Sequence, residues 1–220
     1  AVFMAGGPGS GKSHVGRAMF SGLGLKELNS DVVFEKYIKS ANMALNDIDL
    51  VKYPQQRDLR DKAKAVKDKQ AVLYREGMLG LLIDGTGHSF DRIHSESDTL
   101  KKLGYDTFLV FVNTSLDVSK ERNQRRERKL QDMDLITQRW QAVQYNIGAF
   151  QEYFGSQNML IVDNNKDRGA EDSHEFELKL RRAALNMLNK PLQNHIGRER
   201  IQAIMQPSPI DPANNYLAAR

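Results

Sequence analysis

The sequence contains no cysteine among its 220 residues. Disulfide bonds, cysteine-ligated zinc, iron–sulfur clusters and thiol nucleophiles are therefore excluded. Long apolar runs are also missing: the longest, residues 78–83, is interrupted by Gly80 and is far shorter than the roughly 20 residues of a membrane span. Residues 1–5 lack the features of a signal peptide, and we expect a short native start to precede them. These absences favour a soluble cytoplasmic protein with no membrane partner.

Positive charge is only slightly in excess, with 32 Lys and Arg against 28 Asp and Glu and a net charge of +4. Hydrophobic residues make up 40% and charged residues 27%, which is typical of one soluble globular domain. The excess is concentrated in residues 120–129, where six basic side chains accompany two acidic ones. We expect this segment to meet something anionic.

Five short apolar runs alternate with longer segments of helical periodicity, such as the one that places Leu59, Ala63, Val66 and Leu73 on one face. This alternation is typical of a parallel sheet whose crossover helices cover both faces. We therefore predict an α/β fold: a three-layer α/β/α sandwich with a doubly wound parallel sheet of about five strands. Ligands of such a fold bind at the carboxyl ends of the strands. The predicted strands are residues 1–5, 25–29, 79–84, 107–112 and 159–162.

Residues 6–13, with the sequence GGPGSGKS, match the phosphate-loop pattern G-x-x-x-x-G-K-[ST] in full, between a predicted strand and a predicted helix. Glycines let backbone N–H groups point at phosphate oxygens, and the start of the helix adds the positive end of its dipole. Lys12 would reach the β- and γ-phosphates, and Ser13 would bind Mg²⁺. ATP and Mg²⁺ are thus the predicted cofactors, and the predicted nucleotide-binding residues of this loop are Gly6, Gly7, Gly9, Ser10, Gly11, Lys12, Ser13 and His14.

Asp84 ends the apolar run LLID and is typical of a Walker B aspartate that acts on Mg²⁺. The alternative is that this aspartate only favours the turn that follows it. We interpret Asp84 as a metal-site residue together with Ser13, because a doubly wound sheet brings the ends of such strands together.

A kinase and a GTPase-like switch are the two functional classes to distinguish. Residues 84–87 fit the D-x-x-G of GTPases, but residues 165–168 fail to complete N-K-x-D, because Arg168 stands where the guanine-reading carboxylate is required. An ATPase or GTPase switch is disfavoured and stays an alternative. Asp31 favours a kinase, because a carboxylate just past the second predicted strand could orient an acceptor hydroxyl and accept its proton. Asp31 could also N-cap the helix that begins at Val32, and the two roles are compatible.

The basic segment places Arg122 with Arg125 and Arg126 on one face of a helix. These arginines could close over the nucleotide as a lid and contact the γ-phosphate in the transition state. The alternative is a solvated basic face that pairs with Glu121 and Glu127. Beneath the lid we expect core packing by the aromatic residues Trp140, Tyr145, Phe150, Tyr153 and Phe154.

Taken together, these residues resemble the P-loop kinases grouped around zeta toxins and bacteriophage polynucleotide kinases. The resemblance rests on the phosphate loop and on residues 29–31 (NSD), 83–86 (IDGT), 122–126 (RNQRR) and 162–164 (VDN), and it covers approximately residues 1–165. It implies that Asp31 is the base on the acceptor hydroxyl, that Lys12 and Ser13 hold the phosphates and metal, and that Asp84 supports Mg²⁺. By the same resemblance, Arg122 and Arg126 are catalytic lid arginines and Asn164 lies near the adenine.

The resemblance also implies a domain organisation. We expect a P-loop NTPase fold with a kinase domain over residues 1–205, a helical lid over about residues 117–135, and a helical C-terminal extension. Residues 206–220 hold three of the six prolines and are expected to form an extended tail.

The acceptor is less constrained, because the sequence departs from this family after Asp31: the arginine expected about three residues later is missing, and Lys36 is the first cation. Residues 31–84 carry many basic side chains with acids between them, which fits a nucleic-acid groove or a solvated helix. We predict an acceptor hydroxyl on a nucleic acid (a 5′-hydroxyl or a hydroxymethyl base) or on a nucleotide, in the host cytoplasm if the enzyme is phage-encoded. The alternative is a zeta-toxin-like kinase of a small molecule such as a nucleotide sugar. The predicted acceptor contacts are Lys36, Thr86, His88 and Arg125.

Overall fold

The computed structural model describes residues 1–127 and 132–205. Within these residues the strands are β1 (Val2–Ala5), β2 (Lys26–Leu28), β3 (Leu81–Asp84), β4 (Phe108–Asn113) and β5 (Met159–Asp163). The helices are α1 (Lys12–Phe20), α2 (Ser30–Ser40), α3 (Pro54–Glu76), α4 (Phe90–Lys102), α5 (Leu116–Gln124), α6 (Met133–Tyr145), α7 (Ile147–Phe154), α8 (Ala170–Leu188) and α9 (His195–Met205). All five predicted strands are present, with their bounds shifted by one or two residues.

The five strands form one parallel sheet in the order β2-β3-β1-β4-β5. β1 lies at its centre, where Val2 is opposite Leu82 of β3 on one side and Phe108 of β4 on the other. After β1, the chain forms β2 and β3 on one side of β1, and it then forms β4 and β5 on the other side. This reversal makes the sheet doubly wound and places the ligand crevice at the carboxyl end of β1, where the phosphate loop begins.

Helices cover both faces of the sheet because successive β1 side chains point to opposite sides. Phe3 and Ala5 enter one core, which α4 and α7 cover, and Val2 and Met4 enter the other, which α1 and α8 cover. Each large side chain that is fully buried in this way contributes about 1.5–3 kcal/mol to folding. The predicted α/β/α sandwich is confirmed, and the helix residues of the two cores include Ile93, Leu100, Phe150 and Phe154 on one face and Val15, Met19, Leu180 and Ala184 on the other.

The segment between β2 and β3 forms an arm, residues 30–76, made of α2, α3 and the loop that joins them. It has a small hydrophobic core of its own, with Phe34, Ile38, Leu45 and Ala63 buried. Because β2 is the edge strand of the sheet, the arm lies beside that edge, and the N-terminus of α2 begins directly after it.

Two predicted helix faces are wrong in part. Leu73 is 63% exposed, because the buried side of α3 runs through Gln56, Ala63 and Ala71, and a residue two positions after Ala71 lies about 200° around the helix. Tyr145, the last residue of α6, is 89% exposed rather than packed in the core.

Part of the predicted organisation lies outside the described residues. This applies to residues 206–220, the predicted tail, and to residues 128–131 of the predicted lid, which include Arg128. The described parts of the lid are α5, residues 125–127 and the first turn of α6. No helix in the described ranges is long and apolar enough to cross a membrane.

Candidate active site

The phosphate loop runs from β1 into α1 and is enclosed by other elements. Gly9 and Gly11 have positive φ values of 73° and 85°, which favour glycine over residues with a side chain. A Cβ at Gly9 would lie 2.3 Å from the Ser119 carbonyl oxygen, and a Cβ at Gly11 would lie 2.5 Å from the Asn164 amide nitrogen. The loop is therefore held between α5 and the loop after β5, with space for a glycine backbone alone.

Lys12 lies in the first turn of α1 and folds back over the loop. Its ammonium group donates to the carbonyl oxygens of Gly6 at 2.7 Å and Gly7 at 3.2 Å. Burial lowers the pKa of Lys12, while the nearby charges of Asp84 and Asp31 oppose this shift. The cation thus has a strong requirement for an anion, and phosphate oxygens are its ordinary partners after such a loop.

The loop also contains a buried polar group that suits a bound nucleotide. Within residues 1–127 and 132–205, the Ser10 hydroxyl is buried and has no hydrogen-bond partner. Such orphaned groups are rare in native structures because each is costly to bury. Gly11 N-caps α1 without a side chain, so the start of the helix offers its first N–H groups to an anion.

Asp84 is the carboxylate at the end of β3, beside β1, where it is opposite Met4. Asn29, which follows β2, donates its side-chain amide to the Asp84 carboxylate at 2.8 Å. Burial raises the pKa of Asp84, and the Lys12 charge acts in the opposite direction. The carboxylate is therefore desolvated and held by Asn29 close to the Lys12 ammonium, as a Mg²⁺-supporting group requires.

Asp31 does not cap α2, so that part of the sequence interpretation is wrong. The N-cap is Asn29, whose side chain accepts from the Asp31 N–H at 2.9 Å, and the helix begins at Ser30. The Asp31 carboxylate is 52% exposed and pairs with the guanidinium of Arg60 at 2.5 Å. Asn29 therefore performs the capping, and the carboxylate of Asp31 points out toward α3.

Arg60 is a functional candidate that sequence reasoning did not identify. It belongs to α3, and besides Asp31 it lies over the Phe34 ring, 5.3 Å from the centroid. The arginine that the family resemblance implies about three residues after Asp31 is missing, and α3 instead supplies a guanidinium to Asp31 from 29 positions away. Residues 57–69 hold many charges at similar spacing, so no local pattern distinguishes Arg60 from its neighbours.

The lid arginines divide between two places. Arg122 donates to the carbonyl oxygens of Asn164 at 2.6 Å and Lys166 at 3.2 Å, and to Asp167 at 2.8 Å. Arg125 also reaches Asp167, at 3.2 Å. Arg126 instead acts electrostatically on both Lys12 and Asp84. Of these three arginines, Arg126 is the one whose charge reaches Lys12 and Asp84, and Arg122 and Arg125 tie α5 to the loop after β5.

An open cleft of about 340 Å³ lies beside the phosphate loop. Asn164 anchors its floor, because its buried amide donates to the Ser10 carbonyl oxygen at 2.8 Å. The Arg168 guanidinium lies 3.5 Å from the centroid of the Phe176 ring and donates to the Asn164 side-chain oxygen at 2.9 Å. Flat stacking groups suit a nucleobase, and the lining residues include Gly11, His14, Arg122, Asn164, Arg168 and Phe176.

The remaining predicted acceptor residues come from two separate elements, α2 and the loop after β3. Lys36 is exposed on α2. The Thr86 carbonyl oxygen accepts from the Gly6 N–H at 3.2 Å, and the Thr86 hydroxyl hydrogen-bonds His88 Nδ1. Thr86 and His88 therefore lie at the same sheet edge as the phosphate loop.

The described residues, 1–127 and 132–205, contain no group of three or more His, Cys, Asp or Glu side chains that could hold a metal. A Mg²⁺ ion takes few protein ligands when it is bound with nucleotide phosphates and water. The exposed Ser13 hydroxyl and the Asp84 carboxylate fit that donor set, because both are hard oxygen ligands at the end of the phosphate loop.

A family model described as an AAA domain, AAA_33, matches residues 2–149, which is 148 of the 220 residues. No curated protein matches the chain. Among solved structures, a chain of the AvrRxo1-ORF1:AvrRxo1-ORF2 complex crystallised with sulphate ions is 14% identical, with a TM-score of 0.56. The match covers 74% of this chain and 54% of that chain, so the aligned part spans just over half of the similar structure.

Two further structures have similar folds at low identity. The native form of the same complex is 13% identical, with a TM-score of 0.57 and coverage of 92% of this chain and 75% of that chain. A gluconokinase from Sinorhizobium meliloti 1021 is 20% identical, with a TM-score of 0.47 and coverage of 86% and 95%. The two AvrRxo1-ORF1:AvrRxo1-ORF2 structures, whose TM-scores exceed 0.5, establish a shared α/β/α fold and nothing finer at these identities.

Proposed function

The chain belongs to the AAA domain family AAA_33, and on that premise we propose that it is an ATP- and Mg²⁺-dependent kinase of a hydroxyl acceptor. The observation that carries this proposal is the hydrogen-bonded arrangement at the ends of β2 and β3, where Asn29 donates to the Asp84 carboxylate and accepts from the Asp31 N–H, which sets two carboxylates near the phosphate-loop lysine. The charges of Asp84, Arg126 and Asp31 all act on the Lys12 ammonium. A module that only binds nucleotide has no need of Asp31, whereas phosphoryl transfer to a hydroxyl needs a carboxylate in that place.

On the nucleotide side, the residues of the loop would bind and orient the phosphates. Lys12 would exchange the Gly6 and Gly7 carbonyl oxygens for β- and γ-phosphate oxygens, and Ser10 would gain a partner for its buried hydroxyl. Ser13 and Asp84 would hold Mg²⁺, which supplies neutralisation of phosphate charge when bound. The adenine would occupy the cleft beside Arg168 and Phe176, and Arg122 would secure the wall of that cleft.

On the acceptor side, Asp31 would accept the proton of the attacking hydroxyl. A bond forms between the acceptor oxygen and the γ-phosphorus while the bond from that phosphorus to the β–γ bridging oxygen breaks, and ADP leaves. Arg126 would stabilise the charge on the transferring group. Arg60 would act as a positioning residue, because its ion pair fixes the Asp31 carboxylate against the arm.

We propose an acceptor that is a nucleic acid or a nucleotide. The arm supports this assignment, because α3 presents Arg57, Arg60, Lys64 and Lys67 at spacings of three and four residues, which share one helix face. Lys64 pairs with Asp61 at 2.9 Å with both side chains exposed, so this pair is weak and phosphate can displace it. Lys67 pairs with Asp68 at 3.4 Å and is the more buried of the two lysines. A small acceptor such as a nucleotide sugar is the second candidate, since the Arg60 guanidinium adjoins Asp31.

Label transfer from γ-labelled ATP with Mg²⁺ tests the proposal. Acceptors offered in parallel are 5′-hydroxyl DNA and RNA, DNA with hydroxymethyl bases, nucleosides and nucleotide sugars. We expect Asp31→Asn to bind ATP normally but to lower kcat by about 10²–10⁴-fold, because a general base acts only in the transition state. Asp58→Asn, an exposed carboxylate of α3, is the matched control and should transfer label normally.

Each result of this assay has a definite meaning. Label on a polynucleotide that is lost in Asp31→Asn supports a nucleic-acid kinase, and label on a nucleotide sugar supports the small-molecule alternative. Phosphate release without a labelled acceptor, at equal rates in the wild type and Asp31→Asn, would contradict the kinase assignment.

A further inference from the structure

We propose that the loop after β3 carries a second anion site, formed by His88, Arg92 and Arg139, which binds a phosphate group of the acceptor. This inference rests on the proposed kinase function, since it assigns the chemistry of the acceptor. The site lies outside the phosphate loop and outside the cleft beside Arg168 and Phe176 that we assign to the adenine.

One wall of the site comes from α6, which crosses the phosphate loop. The Trp140 ring lies 3.1 Å from the position that a Cβ on Gly7 would take, and Trp140 Nε1 donates to the Thr114 carbonyl oxygen at 2.8 Å. At the end of the helix, the Asn146 amide donates to the Gly87 carbonyl oxygen at 3.0 Å. Arg139 precedes Asn146 by seven residues, or two turns, and therefore shares the helix face that contacts the loop of His88.

The other wall is the first turn of α4. Ser89 caps this helix, and its hydroxyl accepts from the Arg92 N–H at 3.4 Å, which fixes the backbone of Arg92 one helical turn after the cap that follows His88. His88 lies between the two walls and is bonded to the Thr86 hydroxyl. Burial lowers the pKa of His88, and the charges of Arg139 and Arg92 lower it further. The loop of His88 therefore lies against the end of α6 and runs directly into α4, and the charges of one arginine from each helix act on the imidazole.

No carboxylate neutralises this cluster within the described parts of the chain, where neither Arg92 nor Arg139 forms an ion pair. The contrast with Arg60, Arg122 and Arg125 is direct, because each of these pairs with a carboxylate. Arg139 is partly buried, so its charge is costly without a partner. Guanidinium groups bind phosphate through paired, parallel hydrogen bonds, and two of them beside an imidazole form a suitable site.

The position of the site indicates what the acceptor looks like. Thr86 follows Asp84 by two residues and its backbone is bonded to Gly6, so the anion site and the phosphate loop lie on neighbouring strand ends. An acceptor anchored by its phosphate at Arg92 and Arg139 would present a hydroxyl toward Asp31 only if the two groups were close together on the molecule. The repeating unit of a nucleic acid and a nucleoside 3′-phosphate both have this arrangement.

The first experiment measures anion binding without any turnover. Inorganic phosphate is titrated into the isotope-labelled protein, and the His88 ring resonance, assigned by its loss in His88→Gln, is followed by NMR. We expect a saturable shift that is lost in Arg92→Gln and Arg139→Gln but retained in Arg182→Gln, an exposed arginine of α8. Phosphate bound only in the phosphate loop would shift the resonance equally in all variants, and that result, or no shift, would overturn the site.

The second experiment uses activity with a matched pair of acceptors, a nucleoside and its 3′-phosphate, each with a free 5′-hydroxyl. We expect the wild type to prefer the 3′-phosphate, and the ratio of the two kcat/KM values to fall at least tenfold in Arg139→Gln, in line with a lost charged hydrogen bond. Arg182→Gln should keep the ratio. An unchanged ratio in Arg139→Gln would refute the acceptor role. Absence of transfer to every acceptor would instead count against the kinase proposal, while the NMR titration would still decide whether the anion site exists.

Discussion

The nucleotide side and the acceptor side of the candidate site are built in different ways. On the nucleotide side, Arg122, Arg168 and Asn164 are already bonded to one another or to the adjoining loops. On the proposed acceptor side, Asp31 is half-exposed on an arm with its own small core, and the charges of Arg92 and Arg139 act on His88. The comparison teaches that the nucleotide pocket is preorganised by hydrogen bonds within the fold, whereas the proposed acceptor pocket would be completed by the charge of its ligand.

Lys12→Ala should have the largest effect and is the strongest test of the nucleotide side. Removing one charged donor from a developing phosphoryl charge costs about 10²–10³ in kcat, and ATP binding should weaken as well because Lys12 also holds the ground-state phosphates. Steady-state kinetics and equilibrium ATP binding measure the two effects, with Lys179→Ala, an exposed lysine of α8, as the control. Normal ATP turnover in Lys12→Ala would refute the phosphate-loop assignment.

Gly9→Ala tests whether the nucleotide side is as rigidly packed as the structure indicates. The new Cβ would lie 2.3 Å from the Ser119 carbonyl oxygen at a φ of +73°, and backbone strain of this kind costs about 1–3 kcal/mol before the collision is counted. Gly22→Ala provides a matched control, because Gly22 has the same φ of +73° with nothing within 4 Å of the added Cβ. Denaturant unfolding should show a clearly larger loss for Gly9→Ala, and equal losses would mean that the loop relaxes.

Arg60→Ala sharpens the acceptor side of the comparison. Loss of the ion pair frees the Asp31 carboxylate, and we expect kcat/KM for the acceptor to fall about tenfold, the low end of the range for a charged hydrogen bond. The affinity for ATP should not change, and Arg60→Lys should recover part of the loss. Arg57→Ala removes an exposed arginine one turn away on α3. If Arg57→Ala lowers kcat/KM as much as Arg60→Ala, the loss is caused by the general positive charge of α3 and not by the positioning of Asp31.

The smallest effect concerns the pH dependence of stability. Burial raises the pKa of Asp84 above its ordinary value of 3.8, so the folded protein binds the proton more tightly than the unfolded chain. The contribution of Asp84 therefore favours folding at low pH and is lost as pH rises through the window between 3.8 and the raised value. In the absence of nucleotide, Asp84→Asn should gain stability relative to the wild type across that window. Urea unfolding at several pH values measures this difference, and a difference that stays constant with pH would contradict the raised pKa.

The parts of this protein that could be predicted from sequence are those with a local signature. The phosphate loop has fixed spacing, and strands such as β1 and β4 are short apolar runs buried along nearly their whole length, so both kinds of element were identified without tertiary information. Asp31 was placed correctly after β2 but was also given a capping role, because its neighbour Asn29 competes for the same function and begins the helix two residues earlier. The partner of Asp31 depends on how α3 folds back over α2, which no pattern in either helix reveals.

The same reason explains why Arg92 and Arg139 were missed. Each is one arginine in an amphipathic helix, where charged residues usually face solvent, and their meeting at His88 depends on α6 crossing the phosphate loop. His88 and Thr86 could be singled out because they directly follow Asp84 in sequence. The sequence alone does not show which charged residues of separate helices come together in the folded protein.

The separate core of the arm has a consequence for how this protein could change over generations. Phe34, Ile38, Leu45 and Ala63 pack among themselves, and the arm joins the sheet through the three-residue edge strand β2. The end of α3 belongs to the sheet instead, because Ala71 is buried in the core that contains Phe3 and Tyr74 packs against that core. Substitutions in the part of the arm before Ala71 therefore leave the two cores of the sheet undisturbed. Selection could exchange one acceptor for another by altering residues 30–70 while the machinery that handles ATP is inherited intact.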